Sequence, residues 1–276
     1  MKNIYDIYLN NEYVDGHIHL FDHNGVISQD LIDLNRRCVC FADIVFKHLK
    51  SYSNKMISYY NDFIDNYYDS NKHILLATGI DANEIIDIYS KWPDKIKGFG
   101  ELKCYNDSIQ GKLPYGNLKW IEPIMEFNKN LKLPVYIHFE LDDIDRRHEL
   151  EEFLHKYNDI PIVLCHCGMI KENDKITDNE IFFFVKHLMS TCNNLYIDLS
   201  TLHTREYFIN NIGKLLQLNL DKVITGTDLN PIVNNPEKNY LIKDPIKFKN
   251  TCYKQIDILN KYIGKDNVDK LFCQIK

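Results

Sequence analysis

Eight short segments rich in β-branched and other apolar residues recur along the chain, and most are separated by stretches with helical periodicity. This alternation is typical of α/β proteins with a parallel sheet, and a closed (β/α)8 barrel needs eight strands. The predicted strands are Tyr13–Leu20, Cys38–Phe46, His73–Ile80, Lys97–Cys104, Leu133–Phe139, Ile160–Cys167, Leu195–Ser200 and Lys222–Thr227. The second could also open a helix. We predict an α/β fold with a single (β/α)8 barrel.

Three apolar stripes with helical spacing lie between these strands and predict amphipathic helices that pack on the sheet. The stripes are Met56, Tyr59, Tyr60, Phe63, Ile64 and Tyr67; Leu150, Phe153, Leu154 and Tyr157; and Ile181, Phe184, Val185 and Leu188. Two further helices are predicted at about 246–262 and 266–275, after a loop that follows Asp228. We see no repeat, low-complexity tract or linker. The sequence therefore predicts one domain over residues 1–276.

Composition narrows the class of protein. Hydrophobic residues make up 45% of the 276 residues, enough for a full core, and the net charge of −6 lacks the basic field that nucleic-acid binding needs. The longest apolar stretch is interrupted by Lys186 and His187, so no membrane span is expected. Eight cysteines without a secretion signal favour a reduced, cytoplasmic protein. A small-molecule substrate is the expected partner, and the composition is also compatible with a homo-oligomer.

Histidines and one acid lie at the ends of four predicted strands. His17 and His19 end the first strand and, because strand side chains alternate, share one face. His138, His166 and Asp228 end the fifth, sixth and eighth strands. The carboxyl ends of parallel barrel strands open at one mouth, so these five side chains should converge there. Imidazoles with a carboxylate suit Zn²⁺ or a similar divalent ion.

Four motifs in this order resemble the amidohydrolase superfamily, and in particular its amidohydrolase-related branch, which mixes hydrolases with non-oxidative decarboxylases. They are Asp15-Gly16-His17-Ile18-His19, Val135-Tyr136-Ile137-His138, Leu164-Cys165-His166-Cys167-Gly168 and Thr225-Gly226-Thr227-Asp228. The resemblance implies a metal-dependent TIM barrel. It assigns the more buried ion to His17, His19, His138 and Asp228, and gives His166 either a second ion or the polarisation of the substrate. It also makes Asp228 the residue that moves a proton from water to the leaving group.

The fourth predicted strand bears on the number of ions. Glu101 and Lys103 share one of its faces. Some families of this superfamily place a bridging carboxylate there, and Glu101 resembles the Gly-Glu version of that bridge. Lys103 would then be free to meet an anionic substrate. The alternative is a simple salt bridge between the two side chains. One or two ions are expected, with Zn²⁺ favoured over Mn²⁺ or Fe²⁺.

Loops that follow barrel strands commonly shape substrate specificity. Glu140 comes shortly after His138, and His203 and Arg205 follow the seventh strand. An arginine in such a loop could bind a carboxylate or a phosphate, although arginines in loops are more often exposed charges with no substrate contact. We predict substrate contacts at Lys103, Glu140, His203 and Arg205.

Two C-x-C pairs are further candidate metal ligands, because thiolates bind zinc. Cys38 and Cys40 form the first pair, and Cys165 and Cys167 flank His166. Structural zinc sites ordinarily use a C-x₂₋₄-C spacing, so we expect packing roles instead. If His166 points into the barrel, alternation predicts that Cys165 and Cys167 point outward.

The expected activity is metal-dependent hydrolysis of an amide, ester or lactone-like bond in a small molecule, with Asp228 and His166 as catalytic residues. A metal-dependent, non-oxidative decarboxylase of a small carboxylic acid is the first alternative. A non-catalytic metal-binding barrel is the second. Glu101 favours hydrolysis, because a bridging ligand suits a two-metal hydroxide, whereas Lys103 and Arg205 favour a carboxylated substrate.

Overall fold

The computed structural model describes residues 14–21, 37–44, 56–79, 81–104, 117–141, 144–168, 178–200, 214, 217–226, 228, 263 and 267–273. Its eight strands form one sheet in which each strand pairs in parallel with the next. They are β1 (Val14–Phe21), β2 (Arg37–Ile44), β3 (His73–Ala77), β4 (Ile96–Lys103), β5 (Val135–His138), β6 (Ile162–Leu164), β7 (Leu195–Asp198) and β8 (Val223–Ile224). Every predicted strand overlaps one of these, so the (β/α)8 barrel is confirmed.

The first and last strands approach each other through a glycine. Gly16 N donates to the carbonyl of Thr225, and Asp228 N donates to the carbonyl of His17, both at 2.9 Å. A Cβ atom on Gly16 would lie 2.3 Å from a methyl group of Ile224 and 2.7 Å from the Thr225 oxygen, so a larger residue would push the two segments apart. This contact brings the barrel close to closure and holds the backbone of Asp228 against that of His17.

Six helices pack around the described part of the barrel. They are α1 (Met56–Asn66), α2 (Ala82–Lys91), α3 (Glu122–Asn128), α4 (Ile144–Lys156), α5 (Asp178–Thr191) and α6 (Asn267–Cys273). The three predicted stripes lie on α1, α4 and α5, except that Tyr67 and Tyr157 follow the last residues of α1 and α4, and α6 falls within the predicted helix at 266–275. Asp81 caps α2 by accepting from Asn83 N and Glu84 N. The predicted helix at 246–262 lies outside the described residues.

Alternate strand residues build two apolar layers. The outer layer lies between the strands and the helices, and the inner one fills the barrel with Val39, Phe41, Ile74, Leu76 and Tyr136, among others. Helix α6 adds Val268 and Leu271 to the inner layer. Its Asn267 side chain donates to the carbonyls of Leu220 and Val223, at the start of β8. Helix α6 therefore covers the amino-terminal end of the barrel, away from the predicted site.

The predicted orientation of Cys165 is wrong. Its side chain belongs to the inner layer together with Val163, whereas Cys167 packs in the outer layer as expected. Strand β6 ends at Leu164, and His166 and Cys167 then adopt left-handed backbone angles, with φ of 54° and 56°. Side-chain alternation holds only while the backbone is extended. His166 consequently reaches the mouth of the barrel through this turn and not through strand alternation.

No helix in the described ranges is long and apolar enough to cross a membrane. The single domain over residues 1–276 stays a prediction.

Candidate metal centre

Three possible ligand atoms, two from β1 and one from Asp228 beyond β8, form a nearly equilateral triangle. His17 Nε2 lies 3.3 Å from His19 Nε2 and 3.5 Å from Asp228 Oδ1, and His19 Nε2 lies 3.3 Å from the same oxygen. Ligands that surround Zn²⁺ tetrahedrally at about 2.1 Å lie about 3.4 Å from one another. We call these atoms the His–His–Asp triangle. Its donor set and spacing fit the divalent ion that the sequence resemblance implies.

The Glu101 carboxylate contacts this triangle and two further imidazoles. Its oxygens are 3.6 Å from His19 Nε2 and 4.0 Å from His17 Nε2. One of them also lies 2.9 Å from His138 Nδ1 and 3.2 Å from His166 Nε2. Glu101 is 3% exposed, so water cannot screen it from these rings. Contacts with four imidazoles favour a bridging position over a simple pair with Lys103.

The backbone around Glu101 explains how β4 delivers this side chain. Gly100 has φ of +128°, and a Cβ atom there would lie 2.5 Å from the carbonyl oxygen of Tyr136, so only glycine fits without displacement. Thr78, which follows β3, donates from its hydroxyl to the carbonyl of Glu101 at 3.0 Å. The register of β4 against β5 also shifts between Phe99 and Leu102. These local features aim Glu101 at the histidines.

The carboxylates and imidazoles of the cluster shift one another's pKa values. Burial alone would raise the pKa of Glu101, but His138, His166 and His17 hold it well below its usual range. Burial likewise opposes ionisation of Asp228, yet His19, His17 and His166 lower its pKa to about 2. Burial disfavours a charged His166, but Glu101, Asp228 and Asp198 raise its pKa to about 9. Glu101 and Asp228 are thus ionised and His166 carries a compensating proton, which a divalent ion would displace on binding.

His138 is grouped differently from the resemblance-based expectation. That expectation places it with His17, His19 and Asp228 around one ion. In the structure its Nδ1 contacts Glu101, and its ring centroid lies 4.7 Å from that of His166. His138 and His166 therefore lie beside each other and both contact Glu101, and the ligand atoms of His166, Glu101 and His17 also lie within 4.8 Å of one another.

The predicted substrate contacts lie around this mouth to the extent that they are described. Lys103 is half-buried and sits in register with His138. Glu140 is half-buried just beyond β5. Its carbonyl accepts from Arg146 Nε at 2.6 Å, while Arg146 Nη2 donates to the carbonyl of Cys104. Arg146 therefore ties the ends of β4 and β5 together. His203 and Arg205 lie outside the described residues.

Three buried residues beside the cluster were not anticipated from the sequence. Asp198 Oδ2 accepts from His17 Nδ1 at 2.7 Å and from Ser200 Oγ at 2.6 Å. The Cys165 thiol lies within 4.8 Å of the ligand atoms of His17 and Asp198. The short His17–Asp198 contact makes this group a hydrogen-bonded support, because His17 already presents its other nitrogen to the triangle. A charged residue at the carboxyl end of β7 was the available signal for Asp198.

Sequence comparison identifies a family over about half of the chain. The sequence model of the amidohydrolase family matches residues 96–232, from the start of β4 to beyond β8. No curated protein gives a significant match to the sequence.

Solved structures with the same fold cover nearly the whole chain. A TatD homologue from Escherichia coli K12 has a TM-score of 0.57 and 11% identity, with 96% of each chain covered. The 2,6-dihydroxybenzoate decarboxylase from Rhizobium has a TM-score of 0.55 and 11% identity, with 95% of this chain and 99% of that chain covered. A zinc-bound amidohydrolase from Burkholderia multivorans has a TM-score of 0.54 and 11% identity, with 95% and 96% covered. At such identities the likeness establishes the fold. With the family match and the barrel in agreement, the protein belongs to the amidohydrolase superfamily.

Proposed function

We propose that this chain is a divalent-metal-dependent hydrolase that cleaves an amide, ester or lactone-like bond of a small molecule. The observation that carries the proposal is the position of Glu101, whose carboxylate contacts His19 through one oxygen and His138, His166 and, at 4.0 Å, His17 through the other. A carboxylate placed in this way can hold two ions near each other. Zn²⁺ suits the imidazole-rich donor set best, with Mn²⁺ or Fe²⁺ as alternatives.

The residues divide into two ligand groups. The His–His–Asp triangle would hold the first ion, and Glu101, His138 and His166 the second. A divalent ion in such a site lowers the pKa of bound water to about 7 and so supplies a nucleophile at neutral pH. Asp228 is 13% exposed while His17 is fully buried, so its carboxylate is the group of the triangle that faces the mouth. It is placed to accept a proton there and return it to a leaving group.

His166 and the residues around the mouth would act on the substrate. The His166 imidazole stands beside Glu101 and could stabilise negative charge that develops on a substrate oxygen. Lys103 and Glu140 border the same mouth and would set which substrates bind. His203 and Arg205 are proposed for the same role from their positions after the seventh predicted strand.

A decarboxylase of a small carboxylic acid is the second candidate. The position of Lys103 in register with His138 favours it, because a cation beside the cluster suits a substrate carboxylate. The decarboxylase from Rhizobium shares the fold. A non-catalytic metal-binding barrel is a third candidate, and the intact ligand set argues against it.

Metal analysis tests the shared premise of both enzymatic candidates. We expect at least one equivalent of divalent metal after metal-supplemented expression, and a higher unfolding temperature when Zn²⁺, Mn²⁺ or Fe²⁺ is added to metal-free protein. A ligand at about 100 times its Kd stabilises the fold by about 2.7 kcal/mol. Less than about 0.2 equivalents, together with no stabilisation by any of these ions, would contradict the proposal.

Isotope labelling then separates hydrolysis from decarboxylation. The metal-loaded protein is screened against small amides, esters, lactones and carboxylic acids, and any substrate that turns over is run in ¹⁸O-water. Hydrolysis places the label in the product acid. Stoichiometric CO₂ release without label would establish the lyase, and the absence of turnover across all classes would favour the non-catalytic barrel.

A further inference from the structure

Strand β7 carries none of the residues assigned above to the two ligand groups, yet residues at and just beyond its end contact two of the histidines in those groups. Asp198 and Ser200 are both fully buried. Asp198 reaches His17 of β1, and Ser200 reaches His166, which follows β6. These contacts lie on the far side of each ring from the Nε2 atom that faces the cluster.

Three donors converge on the Asp198 carboxylate. His17 Nδ1 and Ser200 Oγ donate to Oδ2 at 2.7 and 2.6 Å, and the Ser200 backbone N–H donates to Oδ1 at 2.8 Å. A carboxylate is an acceptor only, so the proton of the first contact belongs to His17 Nδ1. A neutral His17 protonated at Nδ1 carries its lone pair on Nε2, the atom of the His–His–Asp triangle.

Ser200 likewise determines which ring nitrogen of His166 carries a proton. The Nδ1 atom of His166 lies 3.0 Å from the Ser200 carbonyl oxygen, which can only accept. The Ser200 hydroxyl is also 3.0 Å away, but its own proton is directed at Asp198. Nδ1 of His166 therefore holds a proton and leaves Nε2 to face Glu101, at 3.2 Å.

We propose that Asp198 is a positioning residue that sets the Nδ1–H form of His17 directly and, through Ser200, orients His166, so that one buried carboxylate prepares a ligand in each of the two groups. This role rests on the proposed metal-dependent function. Carboxylates that accept from the far nitrogen of a ligating imidazole increase its basicity, and their loss commonly weakens metal affinity 10–100-fold.

The first test examines the His17 ring without metal or substrate. Long-range ¹H–¹⁵N correlation spectra of the metal-free protein, recorded at alkaline pH where imidazoles are neutral, report which nitrogen carries the proton. The His17 signals are assigned by their loss in His17→Gln. We expect the proton on Nδ1 in the wild type. A proton on Nε2 would overturn the inference, whatever the activity of the protein.

The second test compares metal affinity in Asp198→Asn with two controls. The amide NH₂ must face a donor from either His17 or Ser200, so we expect Zn²⁺ affinity, measured against a chromogenic chelator, to fall 10–100-fold. Ser200→Ala removes the hydroxyl that joins Asp198 to His166 but retains the Asp198–His17 contact, so its zinc affinity should fall less than that of Asp198→Asn. Leu195→Ala removes a buried apolar side chain from the same strand and should lower stability without weakening affinity.

The outcomes distinguish this inference from the proposed function. Zinc affinity in Asp198→Asn equal to that of the wild type and Leu195→Ala would overturn the positioning role while leaving the metal site intact. A wild type that binds no divalent ion would instead overturn the proposed function, and the protonation site of His17 would then decide the positioning role alone.

Discussion

The Glu101 carboxylate lies 2.9 Å from Nδ1 of His138, although the register of the sheet pairs His138 with Lys103. Glu101 lies within the stretch of β4 between Phe99 and Leu102 where the pairing with β5 shifts, so its side chain reaches diagonally to His138. This reach places its charge among imidazoles from three other parts of the barrel.

Glu101→Gln should lower the metal content from two equivalents toward one. The amide retains the size of the side chain but has one acceptor oxygen and a donor group, so it is a poor bridge. The His17 and His19 site should stay occupied. Elemental analysis of wild type, Glu101→Gln and Lys103→Met after identical expression measures this, and Lys103→Met should match the wild type. A wild-type content of one that Glu101→Gln leaves unchanged would assign Glu101 to a salt bridge or a substrate contact.

Replacement of Cys38 or Cys40 by alanine or valine should leave metal content unaltered. Both thiols are buried in the outer layer, with their Sγ atoms 3.1 Å apart. Each alanine variant should lose on the order of 1–2 kcal/mol in the free energy of unfolding, from lost packing. Chemical denaturation and elemental analysis on the same samples check both parts. Loss of a metal equivalent would show that the pair is a metal site.

The stability of the protein should fall between about pH 6.5 and pH 4 because of His73. Burial lowers the pKa of this imidazole to about 4, below the ordinary value of about 6.5 that it regains on unfolding. Its Nδ1 accepts from Asp69 N at 3.0 Å, so the folded state needs the neutral ring. Above about pH 6.5 the His73 ring is neutral in both the folded and the unfolded chain, so it costs no stability. As the pH falls toward 4, the unfolded chain takes up a proton that the folded chain does not, and on the order of 3 kcal/mol of the free energy of unfolding is lost.

The variant His73→Asn retains an acceptor near the position of Nδ1 and does not titrate. Denaturation of metal-free protein at several pH values should therefore show a shallower decline for this variant than for wild type. His155→Asn, on the exposed surface of α4, is the matched control and should follow the wild type. Equal slopes for His73→Asn and wild type would refute the assignment.

Tyr60→Phe should destabilise the fold by about 1–3 kcal/mol. The Tyr60 hydroxyl donates to the carbonyl of Leu76 and accepts from Thr78 N at 2.9 Å, so its removal leaves two buried backbone groups unpaired. Tyr89→Phe removes a hydroxyl from a half-buried ring on α2 and should change stability by less than about 0.5 kcal/mol. Thermal and chemical denaturation compare the two. Equal losses would show that the hydroxyl of Tyr60 contributes nothing specific.

Strand positions were predictable because the apolar segments are short and separated by helical stripes, as in Leu133–Phe139 and the stripe around Phe153. No apolar stripe in the sequence predicted helices α2 and α3. Helix α2 buries three residues, Ala82, Ile85 and Ile88, of which only the two isoleucines are large apolar residues. Helix α3 spans only Glu122–Asn128, which is too short for a repeating pattern.

Residues of the cluster were predictable where a histidine or an acid ends a strand. Asp198 also ends a strand, but neither it nor Ser200 belongs to one of the four motifs, so they were not predicted, and their burial against His17 and His166 reveals them. The wrong orientation of Cys165 has a related cause, since two left-handed residues end the alternation on which the prediction depended.

The sequence by itself determined the barrel and the mouth at which the histidines gather, because both follow from local periodicity and from the parallel order of the strands. Only the tertiary structure decided how the ligands are grouped and what supports them. Those relations depend on shifts of register in β1 and β4, on the turn at His166 and on contacts between strands far apart in the chain. Register shifts and turns move ligand atoms by a few ångströms, and side-chain alternation along a strand predicts only the face of the sheet, not positions at that scale.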